Sequence, residues 1–256
     1  MSTGPRRLAR RVAPLVSWAY THRRTRDVRR FVAEQRRRWA GQPHRVLYFH
    51  QVDDPYSHLA AQALPELMAR YDIDLEPHLV GPPPDDAAPE RGRLEAFARK
   101  DAADVAPFVG LDFPRGADRP GRDDVARATC LLAAALGSDR FAETAVRVGT
   151  ALWSGGGARL DAASTGSTAA SEPAAASRML EAGTETRRRM GHYLGAMFHY
   201  AGEWYWGVDR LWHLERRLQA LGALRSGAAA SPIAPRPDAR EDPPAGSRRR
   251  LRLEYF

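Results

Sequence analysis

The sequence predicts an α/β fold: a strand–helix–strand unit, a long helical insertion, then a hairpin and a closing helix. Three observations carry this expectation. Arg45–His50 and Leu75–Val80 are short β-branched or aromatic runs on either side of a helix-spaced stretch. Residues 91–190 are alanine-rich and mostly helical in pattern. Phe198-His199-Tyr200 and Trp204-Tyr205-Trp206 flank Ala201-Gly202-Glu203, which reads as a hairpin turn.

Each element has its local reason. Over residues 5–40, Leu8, Val12, Leu15, Val16 and Ala19, then Val28, Phe31, Val32 and Trp39, recur at helical spacing, with Pro14 as a division. Gly41-Gln42-Pro43 ends that arm. After the first strand, Asp54 suits an N-cap and Pro55 the first helical turn. Leu59, Ala63, Leu64, Leu67 and Met68 then mark an apolar helix face, with a kink expected at Pro65. Gly81 and Pro82-Pro83-Pro84 close the second strand. Two strands joined through a helix imply parallel pairing. Asp161–Pro173 is low in complexity and reads as a mobile loop, and Asp209 is positioned to cap a last helix that runs to about Leu221. This order is the layout of a thioredoxin fold with a helical domain inserted in its middle. The expected division is a basic helical arm (1–44), a thioredoxin-like domain (45–84 and 191–222), an inserted helical domain (85–190) and a disordered proline-rich linker (223–247).

Composition narrows the chemistry. The chain has 256 residues, 43% hydrophobic and 27% charged, enough for a core without staples. Its single cysteine, Cys130, excludes a disulfide framework, a cysteine-rich zinc site and a redox pair within the chain. No apolar run is long enough to span a bilayer. The net charge of +8 is uneven: residues 1–45 hold 13 arginines against Asp27 and Glu34, so the arm carries +11 and the rest −3. A basic arm can meet nucleic acid or an anionic membrane. The bland alternative is a solvated helix in an arginine-biased chain, since Lys100 is the only lysine, and no specific nucleic-acid site is expected. Ala13–Tyr20 is too short and interrupted for a secretory signal, so the expected compartment is the cytoplasm.

The stretch Asp54-Pro55-Tyr56-Ser57-His58-Leu59-Ala60, directly after Tyr48-Phe49-His50, resembles the start of DsbA-like thioredoxin domains. It is most similar to the branch of 2-hydroxychromene-2-carboxylate isomerases and kappa-class glutathione transferases, which carry Ser-Pro-Tyr/Phe-Ser there. Gly202-Glu203-Trp204-Tyr205-Trp206-Gly207-Val208-Asp209-Arg210-Leu211 resembles that family's hairpin and helix start. Lys100-Asp101 through Gly110-Leu111-Asp112-Phe113-Pro114 resembles a stretch of its helical domain.

The resemblance implies a glutathione-dependent isomerase or transferase acting on a small aromatic or conjugated substrate, with a second thioredoxin-like domain or a homodimer partner as the expected assembly. It implies Asp54 and Ser57 as catalytic positions, and His50 or His58, which flank the motif, are candidates for a general acid–base. Tyr56, Gly195, Ala196, Met197, Asp209 and Arg210 are the implied cofactor positions. Two departures matter. The activating serine is replaced by Asp54, and an ionised carboxylate about 4 Å from a thiolate repels it by on the order of 4 kcal/mol at an effective dielectric of about 20. The family's cis-proline is replaced by Ala196, so a trans, shifted loop is expected. The alternative is a thioredoxin-fold scaffold or binding domain without catalysis. Trp204, Trp206 and Trp212 with Tyr200 and Tyr205 form an aromatic set suited to core packing or ligand stacking. Among the histidines no helical zinc spacing occurs, and no metal is expected. Finally, Arg250-Leu251-Arg252-Leu253-Glu254-Tyr255-Phe256 resembles the first strand. It reads either as an edge strand folding back or, from 248 to 256, as the start of a second thioredoxin-like domain.

Overall fold

The structure, a computed structural model, describes residues 22–164 and 170–235. The expected readings for residues 5–21 and 236–256, the second-domain strand among them, lie outside the described residues.

The sheet has four strands: β1 (Arg45–His50), β2 (Asp74–Leu79), β3 (Met197–Tyr200) and β4 (Glu203–Trp206), in the order β2-β1-β3-β4. β1 pairs with β2 in parallel and with β3 antiparallel, and β3 pairs antiparallel with β4. Pro77 lies on β2, an edge strand, where its missing N–H costs no ladder bond. Helix α1 (Arg23–Trp39) precedes the sheet and α2 (Pro55–Arg70) connects the parallel pair, running unbroken through Pro65. Between β2 and β3 come α3 (Arg91–Val105), a 3₁₀ turn (Ala106–Val109), α4 (Arg122–Ala135), α5 (Phe141–Trp153), α6 (Ala158–Ser164) and α7 (Pro173–Arg189). Helix α8 (Gly207–Ala220) follows the hairpin.

The core is continuous from sheet to helices: Tyr48 and Phe198 of the sheet, Leu59 and Leu64 of α2, Phe141 of α5 and Leu211 of α8 belong to one buried cluster. Burial of such side chains contributes roughly 1.5–3 kcal/mol each. α7 lies so close on β2 that a Cβ at Gly183 would sit 2.1 Å from the Leu79 carbonyl oxygen, so only glycine fits.

Four expectations need correction. Asp161–Pro173 is not wholly a loop: α6 reaches Ser164 and α7 starts at Pro173, which supplies the fixed φ of a first helical residue. α8 starts at Gly207 with Trp206 as its N-cap, so Asp209 sits inside the first turn and does not cap it. Cys130, expected among Ala128, Leu131, Leu132 and Ala133 of its helix to be buried packing, is half-buried against the core rather than enclosed in it. Residues 223–235 are not a free linker. Asp72 N–H donates to Ala223 C=O (2.7 Å), Arg225 N–H to Arg70 C=O (2.8 Å), and Ile233 N–H to the Glu215 carboxylate (3.2 Å). Besides Ala228 N–H donating to the Arg225 C=O (3.1 Å), the segment takes its partners from α2, the turn after it and α8.

Candidate functional site

The site is built where β1 turns into α2. Pro55 fills the first helical position, and Asp54 caps the helix from an extended conformation. Asp54 Oδ1 accepts from the Tyr56 N–H (3.2 Å), and Oδ2 accepts from the Ser57 N–H (3.0 Å) and the Ser57 hydroxyl (2.8 Å). Ser57 Oγ in turn accepts the N–H groups of Gln51 (3.1 Å) and Ala196 (2.8 Å). A hydroxyl has one donor and two acceptor positions, and all three are used. Ser57 is therefore a brace: it joins the β1–α2 turn, the helix cap and the loop before β3.

That loop is shaped by two small residues. A Cβ at Gly195 would lie 2.8 Å from Gln51 Cβ and 3.0 Å from both Asp54 Oδ2 and Ser57 Oγ, so glycine permits the approach. Ala196 follows in a trans linkage with φ of 54°, a left-handed conformation that costs a non-glycine residue on the order of 1 kcal/mol. It is held there from both sides, by its N–H on Ser57 and by Gly207 N–H donating to its carbonyl (2.7 Å). The loop is trans, as the missing proline leads one to expect.

Asp54 and Gly195 face a cavity of about 370 Å³. Its apolar walls come from Leu94 and Phe97 of α3, Trp153 at the end of α5, Tyr193 and Leu194, and Trp206. Burial pushes the Asp54 carboxyl up to about 6, against the opposing pull of the Ser57 and Tyr56 hydrogen bonds. Three arginines stand at the wall. Arg91 is paired with Asp85 (2.5 Å) and Arg119 with Glu95 (3.1 Å). Arg99 donates only to the Glu95 carbonyl (3.2 Å) and has no carboxylate partner among the described residues. Tyr56 donates its hydroxyl to Asp101 (2.7 Å) and meets Trp206 edge-on, closing one end of the cavity. Its phenol is raised, first by burial and then by Asp101.

Other expected site residues are elsewhere. His50 is buried beneath α2, with Nδ1 3.0 Å from the Tyr48 hydroxyl and its ring edge-on to Phe141. Burial and the nearby His58 pull it down to about 3, so it stays neutral and does not line the cavity. The alternation of β1 is the reason: His50 points to the same side as Tyr48, into the core. His58 is likewise buried and pulled down to about 4. Asp209 lies in a separate recess of about 20 Å³ with Tyr56 and Asp101, and burial raises its carboxyl. Met197 and Arg210 line a third, shallow groove beside Arg30 and Trp204. Of the aromatic set, Trp206 reaches the cavity, while Trp204 packs against Phe49, His192 and His199. Among the described residues no group of three or more His, Cys, Asp or Glu side chains is placed to hold a metal.

Two features of the site escape sequence reasoning. One is the pair of backbone donors on Ser57, which carry no side-chain signature. The other is the helical wall of Leu94, Phe97, Arg99 and Trp153, which comes from segments of unremarkable pattern.

No protein-family model matches the chain, and no curated protein matches it. Among solved structures it is similar to selenomethionine 2-hydroxychromene-2-carboxylate isomerase, at 18% identity and a TM-score of 0.46, over 70% of this chain and 96% of that one.

Proposed function

We propose that this chain is a DsbA-type thioredoxin-like protein that binds a small aromatic or conjugated organic anion and moves a proton on it, as an isomerase does. One observation carries the reading: a half-buried carboxyl at a helix N-terminus opens onto an apolar cavity of about 370 Å³. With its proton affinity raised to about 6, Asp54 is mostly ionised at neutral pH and serves as a base. Its conjugate acid is weak enough to form and strong enough to return the proton at a second carbon of the same conjugated system. The proton taken equals the proton returned, and no electrons leave the substrate. Arg99 is placed to hold the anionic end, and Phe97, Trp153 and Trp206 to exclude water. A cytoplasmic setting belongs to the same reading.

Glutathione fits this arrangement poorly. The helix N–H groups that would stabilise a thiolate already bind the Asp54 carboxylate, and the Ala196 N–H is committed to Ser57. Asp209 and Arg210 belong to two other recesses. Glutathione takes no part in the proposed proton transfer.

A second reading, a binding domain without catalysis, is favoured by the fully committed Ser57 hydroxyl, which leaves no nucleophile at the cavity. One experiment separates the two. The protein is incubated in deuterium oxide with a panel of conjugated keto and enol acids, and carbon-bound deuterium is followed by NMR. Exchange that Asp54→Asn abolishes supports the isomerase reading. Saturable binding with no exchange supports the binding domain. Absence of both sinks the site.

A further inference from the structure

Helix α1 is mounted the wrong way round for a helix that packs on a core. Its side toward the protein is polar: Arg30 donates to both oxygens of Glu203 (2.8 and 2.7 Å), and Glu34, buried, holds Arg37 and Arg38 (2.8 and 2.7 Å). Its apolar residues face solvent. Val28, Phe31, Val32 and Trp39 are 62%, 63%, 40% and 85% exposed. Their spacing places them on one stripe, with exposed Arg24 and Arg36 one turn from Val28 and Val32. The helix holds eight arginines against Asp27 and Glu34. The basic surface continues into a cleft of about 600 Å³ between α1 and α8, lined by Arg26, Arg38 and Arg216, with Phe31 at its edge.

We propose that α1 is a docking surface for an anionic lipid bilayer, with Val28, Phe31, Val32 and Trp39 seated at the acyl boundary and the arginines on the headgroups. Charge complementarity selects this occupant. Nucleic acid would also satisfy the arginines, but it gives Val28 and Val32 nothing to bury against. A second copy of the chain would bring the same excess of positive charge against itself. A bilayer of anionic lipid meets both demands: an apolar stripe ending in tryptophan, and flanking arginines, is the pattern of a helix lying in the interface plane. Among the described residues no helix is long and apolar enough to cross a membrane, so the contact is peripheral.

The test uses the full chain and co-sedimentation with vesicles of phosphatidylcholine and phosphatidylserine, against vesicles of phosphatidylcholine alone. The expected result is sedimentation with the anionic vesicles only, weakened by salt. The Phe31→Ser/Trp39→Ser variant should lower vesicle partitioning by about tenfold or more. Arg24→Gln/Arg36→Gln should lower it by about fivefold per arginine. These positions are exposed, so the variants keep the fold, which circular dichroism checks. Several results overturn the proposal: no sedimentation with anionic vesicles, equal sedimentation with neutral ones, or no effect of the stripe variant. Tight binding to duplex DNA that the stripe variant leaves intact, without vesicle binding, assigns the surface to nucleic acid. A dimer by analytical ultracentrifugation that Phe31→Ser dissolves, without vesicle binding, assigns it to a second copy.

Discussion

The start of α2 and the whole of α1 are two helical surfaces organised by charged side chains, with opposite outcomes. At α2 the charged group is turned inward. Asp54 is enclosed by Ser57, Tyr56 and the Gly195–Ala196 loop, and its polar neighbours are nearly all satisfied. At α1 Arg30, Glu34 and Arg37 also face the protein, but as ion pairs near the surface, and the apolar stripe is left in water. In the first case a charge is placed beside an apolar cavity, where desolvation changes its chemistry. In the second the apolar residues are placed where a partner could reach them. Helical periodicity identifies a face, while the neighbouring groups decide which face is buried.

The largest expected effect is at Ser57. Ser57→Ala leaves the buried N–H groups of Gln51 and Ala196 without acceptors, and each costs about 1–3 kcal/mol. Denaturant unfolding should show a loss of about 2–5 kcal/mol, whereas removing the apolar stripe of α1 should cost under about 0.5 kcal/mol per residue. A loss below about 1 kcal/mol for Ser57→Ala would mean that the brace is not structural.

Asp54 gives the next largest effect, and it is pH-dependent. Its folded-state value of about 6 lies above the ordinary 3.8, so the folded protein holds this proton more tightly than the unfolded chain. The stability so gained is full below about 4 and is lost as pH rises through about 6, amounting to about 2–3 kcal/mol. Asp54→Asn should remove that part of the stability–pH curve, which urea titrations at a series of pH values would reveal.

Gly195→Ala comes third. The added methyl meets Gln51, Asp54 and Ser57 at 2.8–3.0 Å, and should destabilise by about 1–3 kcal/mol while disturbing Asp54's titration. An unperturbed Asp54 in that variant would argue that the loop yields freely. Smallest is Arg30→Gln, which removes the ion pair of α1 with Glu203 and leaves Glu203 its pair with the buried Arg217. Hydrogen exchange should quicken along α1, by roughly three- to tenfold, with little change in α2.

The frame of this molecule was legible in the sequence because its periods are unambiguous. Arg45–His50, the helix-spaced stretch after Pro55 and the hairpin around Ala201-Gly202 each announce one element. Asp54 as the helix cap follows from local chemistry alone. Ser57's role does not, because one of its partners is a backbone N–H 139 positions away. His50 looked available because it neighbours the turn, yet strand alternation puts it under α2. The stripe of α1 was visible as a helical face, but spacing alone does not say that Glu203 and Glu34 would claim the opposite one. Residues 223–235 have linker composition, and their docking depends on partners on α2 and α8 that composition does not encode.

Asp54 is a carboxyl whose environment, rather than its type, sets its chemistry. The direct measurement is a pH titration of the aspartate side-chain carboxyl carbons by NMR in labelled protein, with the Asp54 signal assigned by its absence from Asp54→Asn. The expected midpoint is near 6, falling when a variant such as Phe97→Ser opens the cavity to water. A midpoint at or below the ordinary 3.8 would contradict it, since the cap hydrogen bonds would then outweigh burial and leave a carboxylate too weak to act as a base.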